Sequence, residues 1–524
     1  MSSMRYSRRA ILRAAPLAIG ALAFPRWSDG QDHMPSDPAG TQEMLVRADV
    51  EIARVRPEFH GQFAEHLGSC VYGGLWVGRE SPIANTDGFR ADAVRWLKEL
   101  GVPVLRWPGG CFADDYHWRD GVGPPKSRPR SLNVSWGNVI EDNGFGTHEF
   151  MELCRLIGAE PYLAGNVGSA TPREMRDWVE YCNQPSGTTL SDLRVSNGAK
   201  EPFKVKYWGV GNESWGCGGN MPPHYYGELY RRYSIFLHDI GGTELFLIAS
   251  GPSGDDVRWT RELLDVCQTH MPAGLSMHYY SGGPVEATHF SAKQAEDQFA
   301  IFRSVEQAII HQREVVNGYY HGDETALILD EWGVWDATDP ADEQKRGKLW
   351  QQSTMRSAVA AGLGLNLFNR QADKLYMCNI AQVMNVLQSL LLTDGPEGKS
   401  AVRTTTYHAF MLFKQHRGNM SVMTRTNSDS PRSVSLSASR TDHSLVISLV
   451  NPSATNGVTV RCKISGFIST RVSGQMLHSD DLNAYNSFEQ PDLLHPTTFS
   501  PRLEDGVLIA ELPPLSVATA KIEA

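Results

Sequence analysis

Short apolar runs that close on Gly, Asn or an acidic residue alternate, from residue 59 to residue 368, with longer stretches whose apolar residues recur three or four apart. The strand-like runs are 59–63, 102–107, 160–165, 204–211, 245–250, 275–280, 326–330 and 363–368. Between them lie stretches of helical period at 90–100, 147–157, 172–182, 224–238, 258–269, 292–316 and 348–361. In the first of these, Ala93, Trp96, Leu97 and Leu100 fall on one helical face. Strands that alternate with helices build a parallel sheet, and eight such units close into a (β/α)8 TIM barrel. The alternative is a doubly wound sheet, which would carry a phosphate-binding G-x-G-x-x-G after its first strand; this chain has none there.

Beyond about residue 406 the rhythm changes. Runs at 433–439, 445–450, 458–464 and 507–512 are separated by Gly, Pro, Asn and Asp turns with no helix between them, as in an antiparallel β-sandwich. The alternating segment 44–52 reads as a half-buried strand that could join that sandwich. The expected plan is a polar linker at 24–42, an N-terminal strand at 43–54, a catalytic barrel at 55–405 and a C-terminal sandwich at 406–524.

Residues 1–23 read as an address. Arg8 and Arg9, the apolar stretch 14–24 and Ala21-Leu22-Ala23 resemble a twin-arginine export signal with its cleavage site. The stretch is too short for a membrane span, which takes about 20 residues. The expectation is export to the periplasm or medium, with no membrane contact in the mature form. Twin-arginine substrates are generally moved already folded, so few or no structural disulfides are expected.

The formal charge of -10 over 524 residues speaks against nucleic-acid backbone or an anionic membrane as partner, since both call for a basic surface. The eight cysteines form no Cys-x-x-Cys pair, and the histidines form no His-Glu-x-x-His array. Neither a catalytic metal nor a cofactor is expected.

In a barrel of this type the chemistry sits at the carboxyl ends of the strands. The fourth run ends Gly211-Asn212-Glu213, and the seventh ends Asp330-Glu331-Trp332. Two glutamates are thus expected across one barrel mouth. Glycosidic cleavage uses such a pair: one carboxyl protonates the departing oxygen while the other attacks the anomeric carbon or directs water at it.

Five segments then carry a specific resemblance. Gly61-Gln62-Phe63-Ala64-Glu65-His66-Leu67-Gly68, Arg106-Trp107-Pro108-Gly109-Gly110-Cys111-Phe112, Gly211-Asn212-Glu213, Asp330-Glu331-Trp332 and Ala381-Gln382-Val383-Met384-Asn385 resemble the family 51 glycoside hydrolases, in order and from about residue 43 onward. These are mostly retaining α-L-arabinofuranosidases on a (β/α)8 barrel with a C-terminal β-sandwich. The resemblance implies Glu213 as acid/base, Glu331 as nucleophile, and Asn212 as the residue that hydrogen-bonds the sugar 2-hydroxyl. It implies Glu65, Arg106, Tyr280, Trp335 and Gln382 around the terminal furanose, with Tyr280 orienting Glu331 and Arg106 keeping it ionised. Many members have Asn and others Cys at the position of Cys111, which is expected as a free thiol near the sugar. The implied substrate is an arabinofuranose-containing oligo- or polysaccharide, and the implied assembly a homo-trimer or hexamer.

Other readings stay open at this point. The scaffold also suits an endo-β-glucanase, a β-xylosidase or a galactofuranosidase, and a non-catalytic carbohydrate-binding protein belongs to a different class. His278 reads equally as a core histidine or as a group tuning the charge of Glu331. Trp136 reads as an aglycone platform or as packing, and His117 and Trp118 as packing of the mouth. Gly216-Cys217-Gly218-Gly219 reads as a loop shaping the cleft.

Overall fold

The computed structural model describes residues 40–428, 430–468 and 471–524. The leader expected at 1–23 and nearly all of the linker lie outside the described residues. Eight parallel strands close a barrel: β1 (Gly61–Phe63), β2 (Val104–Trp107), β3 (Glu160–Gly165), β4 (Tyr207–Val210), β5 (Phe246–Ala249), β6 (Gly274–Glu286), β7 (Ala326–Ala337) and β8 (Leu375–Ala381). Strand pairing runs all the way around the ring, from Gln62 opposite Leu105 to Asn379 opposite Gly61, where β8 meets β1, with register shifts where β7 pairs with β6 and with β8. Val104, Tyr162, Tyr207, Ile248, Ile328 and Met377 fill the barrel interior as one cluster. Burying each aliphatic side chain there contributes about 1.5–3 kcal/mol and makes the barrel a packed core with one open, polar end.

The surrounding helices follow from local chemistry. Ala91–Leu100 buries Ala93, Leu97 and Leu100 and stops at Gly101, whose φ of 66° is left-handed and suits glycine. Pro172–Asn183 starts on Thr171, whose hydroxyl accepts the Glu174 N–H at 3.3 Å, with proline in the first turn. The single helix expected at 292–316 is two, Ala292–Arg303 and Val305–Asn317, which meet at Ser304.

One expected strand is corrected. Residues 363–368 lie inside the helix Met355–Arg370, and the eighth barrel strand is the later β8. The helix is buried from Met355 to Asn369, because it runs between barrel and C-terminal domain. An element covered on every side shows no amphipathic period, so its apolar run reads like a buried strand. Its Gly362 faces the C-terminal domain: a Cβ there would lie 2.9 Å from Val450 Cγ2 and 3.2 Å from Val517 Cγ1.

The C-terminal domain is a sandwich built from one hydrogen-bonded sheet of ten strands. Its buried side chains, among them Val46, Val422, Leu445, Val460, Leu508 and Ala518, form a core separate from that of the barrel. The N-terminal strand Gly40–Arg54 lies in the middle of this sheet, antiparallel to Met420–Thr426 and parallel to Val458–Ser465. It begins at Gly40, inside the segment expected as linker.

Candidate active site

The open end of the barrel gathers its polar side chains from six strand ends. Arg106 on β2 is 1% exposed, and so is paired rather than hydrated. Its Nη1 donates to Glu331 Oε1 at 2.8 Å, its Nη2 donates to Asn212 Oδ1, and its Nε lies 3.4 Å from Asp330 Oδ2. Asp330 is held in turn by the Tyr162 hydroxyl and the Asn379 amide, both at 2.8 Å. On β6, the Tyr280 hydroxyl donates to Glu331 Oε2 at 2.7 Å. His278 Nδ1 lies 2.9 Å from Glu213 Oε1 and 3.6 Å from Glu331 Oε2, so one imidazole bridges both glutamates.

These contacts set the charges. Burial works to raise the Glu331 carboxyl, but His278, Arg106 and the Tyr280 hydroxyl outweigh it and hold the group below its ordinary value. His278 moves the other way: burial works against its charged form, yet the two glutamates raise it. Glu65 is pushed up to about 7, by burial first and then by repulsion from Glu331.

Glu213 and Glu331 approach closely: with His278, each offers an atom within 4.8 Å of the others. Such an approach suits direct attack, for which carboxyl groups stand about 5–5.5 Å apart, better than the wider spacing of about 6.5–9.5 Å that admits a water. Both Glu331 oxygens already accept, Oε1 from Arg106 and Oε2 from Tyr280, and the imidazole faces both carboxyls, an arrangement that suits proton exchange better than a metal. Glu213 has a φ of 40°, uncommon for a residue with a side chain. Its carbonyl accepts the N–H groups of Gly216 at 2.7 Å and Gly218 at 3.2 Å, which hold the strained turn.

The remaining expected residues line the same space. Glu65 accepts from Phe112 N at 3.0 Å, Trp136 Nε1 at 2.8 Å and Gln382 Nε2 at 3.1 Å. Because Arg106 takes the Asn212 oxygen, Asn212 Nδ2 is left as a buried atom without a protein partner, as is Gln382 Oε1. Trp335 is half-buried and meets Tyr280 edge to face at 5.3 Å. Gly110 walls this space so closely that a Cβ would lie 3.0 Å from Glu331 Oε1 and 3.4 Å from Asn212 Nδ2.

Trp136 is tied to Glu65 by its indole N–H. His117 turns instead to Glu174 at 2.9 Å, and Trp118 packs parallel to Trp178.

Cys111 is corrected. It is no free thiol but is bonded to Cys217, 106 residues away. The pairing joins the turn after β2 to the loop after β4, which the barrel closure brings side by side. Nothing in the cysteine spacing marks the pair, although both cysteines lie in glycine-rich turns while Cys70, Cys154, Cys182, Cys267, Cys378 and Cys462 are buried.

Asp114 also escaped sequence reasoning. Buried, it accepts from Val167 N at 2.8 Å, Gly168 N at 3.0 Å and Asn212 N at 2.9 Å, clamping the ends of β3 and β4. Burial pushes its carboxyl up to about 7 against the pull of those donors.

Comparison with known proteins then places the chain. Residues 96–295 match the Alpha-L-arabinofuranosidase 1 domain, and residues 330–516 the Alpha-L-arabinofuranosidase C-terminal domain. An intracellular exo-alpha-L-arabinofuranosidase of Bacteroides ovatus is 42% identical over 497 residues, covering 92% of this chain and 95% of its own. The crystal structure of the GH51 arabinofuranosidase from Xanthomonas axonopodis pv. citri is 39% identical, with a TM-score of 0.88 over 92% of this chain and 100% of its own. The arabinose complex of the Thermotoga maritima enzyme is 27% identical, with a TM-score of 0.82 over the same shares. The expectation of export is overturned by the Bacteroides relative, which is named an intracellular enzyme. The export reading is withdrawn.

Proposed function

The chain belongs to the α-L-arabinofuranosidases of glycoside hydrolase family 51, and from that membership we propose a retaining, exo-acting enzyme that releases terminal arabinofuranose from plant oligo- or polysaccharides. The observation that carries the reading is the unequal pair of glutamates: Glu331 is locked by Arg106 and Tyr280 and held ionised, whereas the Glu213 carboxyl meets His278 and the edge of Cys217 among the described residues. An ionised carboxylate that is fixed in place is a nucleophile. A second carboxyl within 4.8 Å is placed to give and take the proton.

In the first step Glu331 attacks the anomeric carbon while Glu213 protonates the departing oxygen, leaving a glycosyl ester on Glu331. In the second, Glu213 takes a proton from water, which attacks the same carbon and frees Glu331. Asn212 Nδ2, turned by Arg106 toward the side of Glu331, donates to the sugar 2-hydroxyl. Glu65 and Gln382 take the other furanose hydroxyls, and Trp335 covers an apolar edge of the ring. The Gly110 wall sets the tight fit of the terminal sugar.

A panel of para-nitrophenyl glycosides tests this. The α-L-arabinofuranoside is expected to be hydrolysed best; cleavage of a β-glucoside, β-xyloside or galactofuranoside in its place replaces the substrate, and sugar binding with no hydrolysis replaces the enzyme by a binding protein. Glu213→Ala is expected to keep forming the glycosyl-enzyme from the activated aryl substrate and to be rescued by azide, giving the α-glycosyl azide after two inversions. The homo-trimer or hexamer is carried as part of the proposal. It has support in the exposed apolar side chains of Leu132, Val134, Val139 and Ile140, between 47% and 58% exposed on one small hairpin. Light scattering that gives a monomer discards it.

A further inference from the structure

Cys217 does more than close a loop. Its Sγ lies 3.5 Å from Glu213 Oε2, on the side of the carboxyl opposite His278. Cys111, Cys217 and Glu213 each offer one ligand atom, and these atoms all lie within 4.8 Å of one another. None of the three is fully buried, so an ion can reach them from the barrel mouth. We propose that reduction of the Cys111–Cys217 bond turns this corner of the active site into a three-ligand site for zinc or a similar thiophilic divalent cation, and that the bound ion withdraws Glu213 from proton transfer.

The chemistry balances with a dithiol as reductant. One of its thiolates attacks a sulfur of the bridge, its second thiol resolves the mixed disulfide, and the reductant leaves as a disulfide while Cys111 and Cys217 become thiols. The cation then displaces the two thiol protons to solvent and binds two thiolates and one carboxylate oxygen. Tetrahedral zinc, with Zn–S of about 2.3 Å and Zn–O of about 2.0 Å, places a sulfur and an oxygen ligand about 3.5 Å apart. Cys217 and Glu213 stand at that spacing already. The Cα atoms of the two cysteines are 5.3 Å apart, which leaves the freed sulfurs room to separate around an ion. His278 at Glu213 Oε1 supplies the outer hydrogen bond that fixes a ligating carboxylate. The fourth position is open to water.

Loss of hydrolysis rests on the acid/base role proposed for Glu213, but occupancy of the site does not, and cobalt(II) reads occupancy directly through its thiolate charge-transfer absorption. The intact enzyme, reduced with a dithiol, freed of reductant by gel filtration and titrated with Co²⁺, is expected to develop that band at one equivalent and to lose it when Zn²⁺ is added. Oxidised enzyme, Cys217→Ser and Cys111→Ser are expected to show none, and Glu213→Gln to bind Co²⁺ at least about tenfold more weakly. One equivalent of Zn²⁺ should cut hydrolysis of an arabino-oligosaccharide by the reduced enzyme about 100-fold or more, the size of a lost general acid, and a chelator should restore it. The proposal is overturned if reduced enzyme gives no band, if the band survives in both serine variants, if oxidised enzyme is inhibited equally, or if reduction alone abolishes the near-UV circular dichroism. A band unaltered in Glu213→Gln overturns the three-ligand site, whereas a band that weakens in Glu213→Gln without inhibition of the parent enzyme keeps the site and overturns the acid/base role of Glu213.

Discussion

Glu331 occupies a place where a lone carboxyl would hold its proton, and three neighbours reverse that preference. Tyr280→Phe removes one of them at almost constant shape. The lost hydrogen bond to a charged group is worth about 1.5–3 kcal/mol, so kcat is expected to fall about 10- to 100-fold. The sign for pH follows from the depressed carboxyl: with a donor gone, Glu331 protonates more readily, and the acid limb of the kcat/KM profile moves to higher pH. An unmoved limb assigns that limb to another group. Glu65 gives the opposite dependence. Raised from 4.5 to about 7, it keeps a proton in the folded chain that the unfolded chain has already lost, so its contribution to stability is complete at low pH and fades as pH rises toward 7. Glu65→Gln should therefore flatten the decline of Tm between about pH 5 and pH 8, as thermal melts across that range will show. Both residues were legible in the sequence because they lie inside contiguous motifs. Asp114 was not, since an acceptor of backbone N–H groups leaves no pattern of side-chain types, and its role exists only once the ends of β3 and β4 lie side by side.

At the scale of elements, two devices fix how strands and helices meet. The Cys111–Cys217 bond closes a loop of 106 residues between the turns after β2 and β4. Chain entropy alone gives such a closure about 4–5 kcal/mol, and natural disulfides commonly deliver about 2–5. The double variant Cys111→Ala/Cys217→Ala should lose stability within that range in urea denaturation; an unchanged midpoint would mean that the bond is not formed in solution. Iodoacetamide, for the same reason, should leave native, unreduced enzyme at full activity, because the other six cysteines are buried. The second device is the helix Met355–Arg370. Glycine inside a helix ordinarily costs about 1 kcal/mol relative to alanine, but Gly362 lets the helix approach Val450 and Val517. Gly362→Val should destabilise by about 1–3 kcal/mol through overpacking, without altering KM. This contact also explains why the strand expected at 363–368 failed: a helix clasped between two domains loses the polar face by which sequence period identifies it. Helices such as Ala91–Leu100, which buries Ala93, Leu97 and Leu100 and leaves its other face to solvent, keep the period by which sequence identifies them.

At the scale of the whole molecule, the N-terminal strand ties the two ends of the chain together. It occupies an interior position of the ten-stranded sheet, with hydrogen-bonded neighbours on both sides, so its removal would leave two unpaired edges. A chain starting at residue 55 is therefore expected to be recovered largely insoluble, although every residue of the candidate site remains; soluble, active truncated protein would show that the sheet re-closes without it. The alternation in 44–52 pointed to a strand, whereas its central position and its parallel pairing with Val458–Ser465 arise from the closure of the sheet, which no local pattern records. This architecture brings a carboxyl that is locked and held ionised, Glu331, beside a second, Glu213, at one barrel mouth. The most direct test is to trap the covalent intermediate: Glu213→Ala, mixed with an activated aryl α-L-arabinofuranoside, quenched in acid and digested, should yield by mass spectrometry an arabinosyl ester on the peptide that contains Glu331. An adduct on Glu213 or elsewhere, or no adduct together with a first-formed sugar of inverted configuration, would contradict the account.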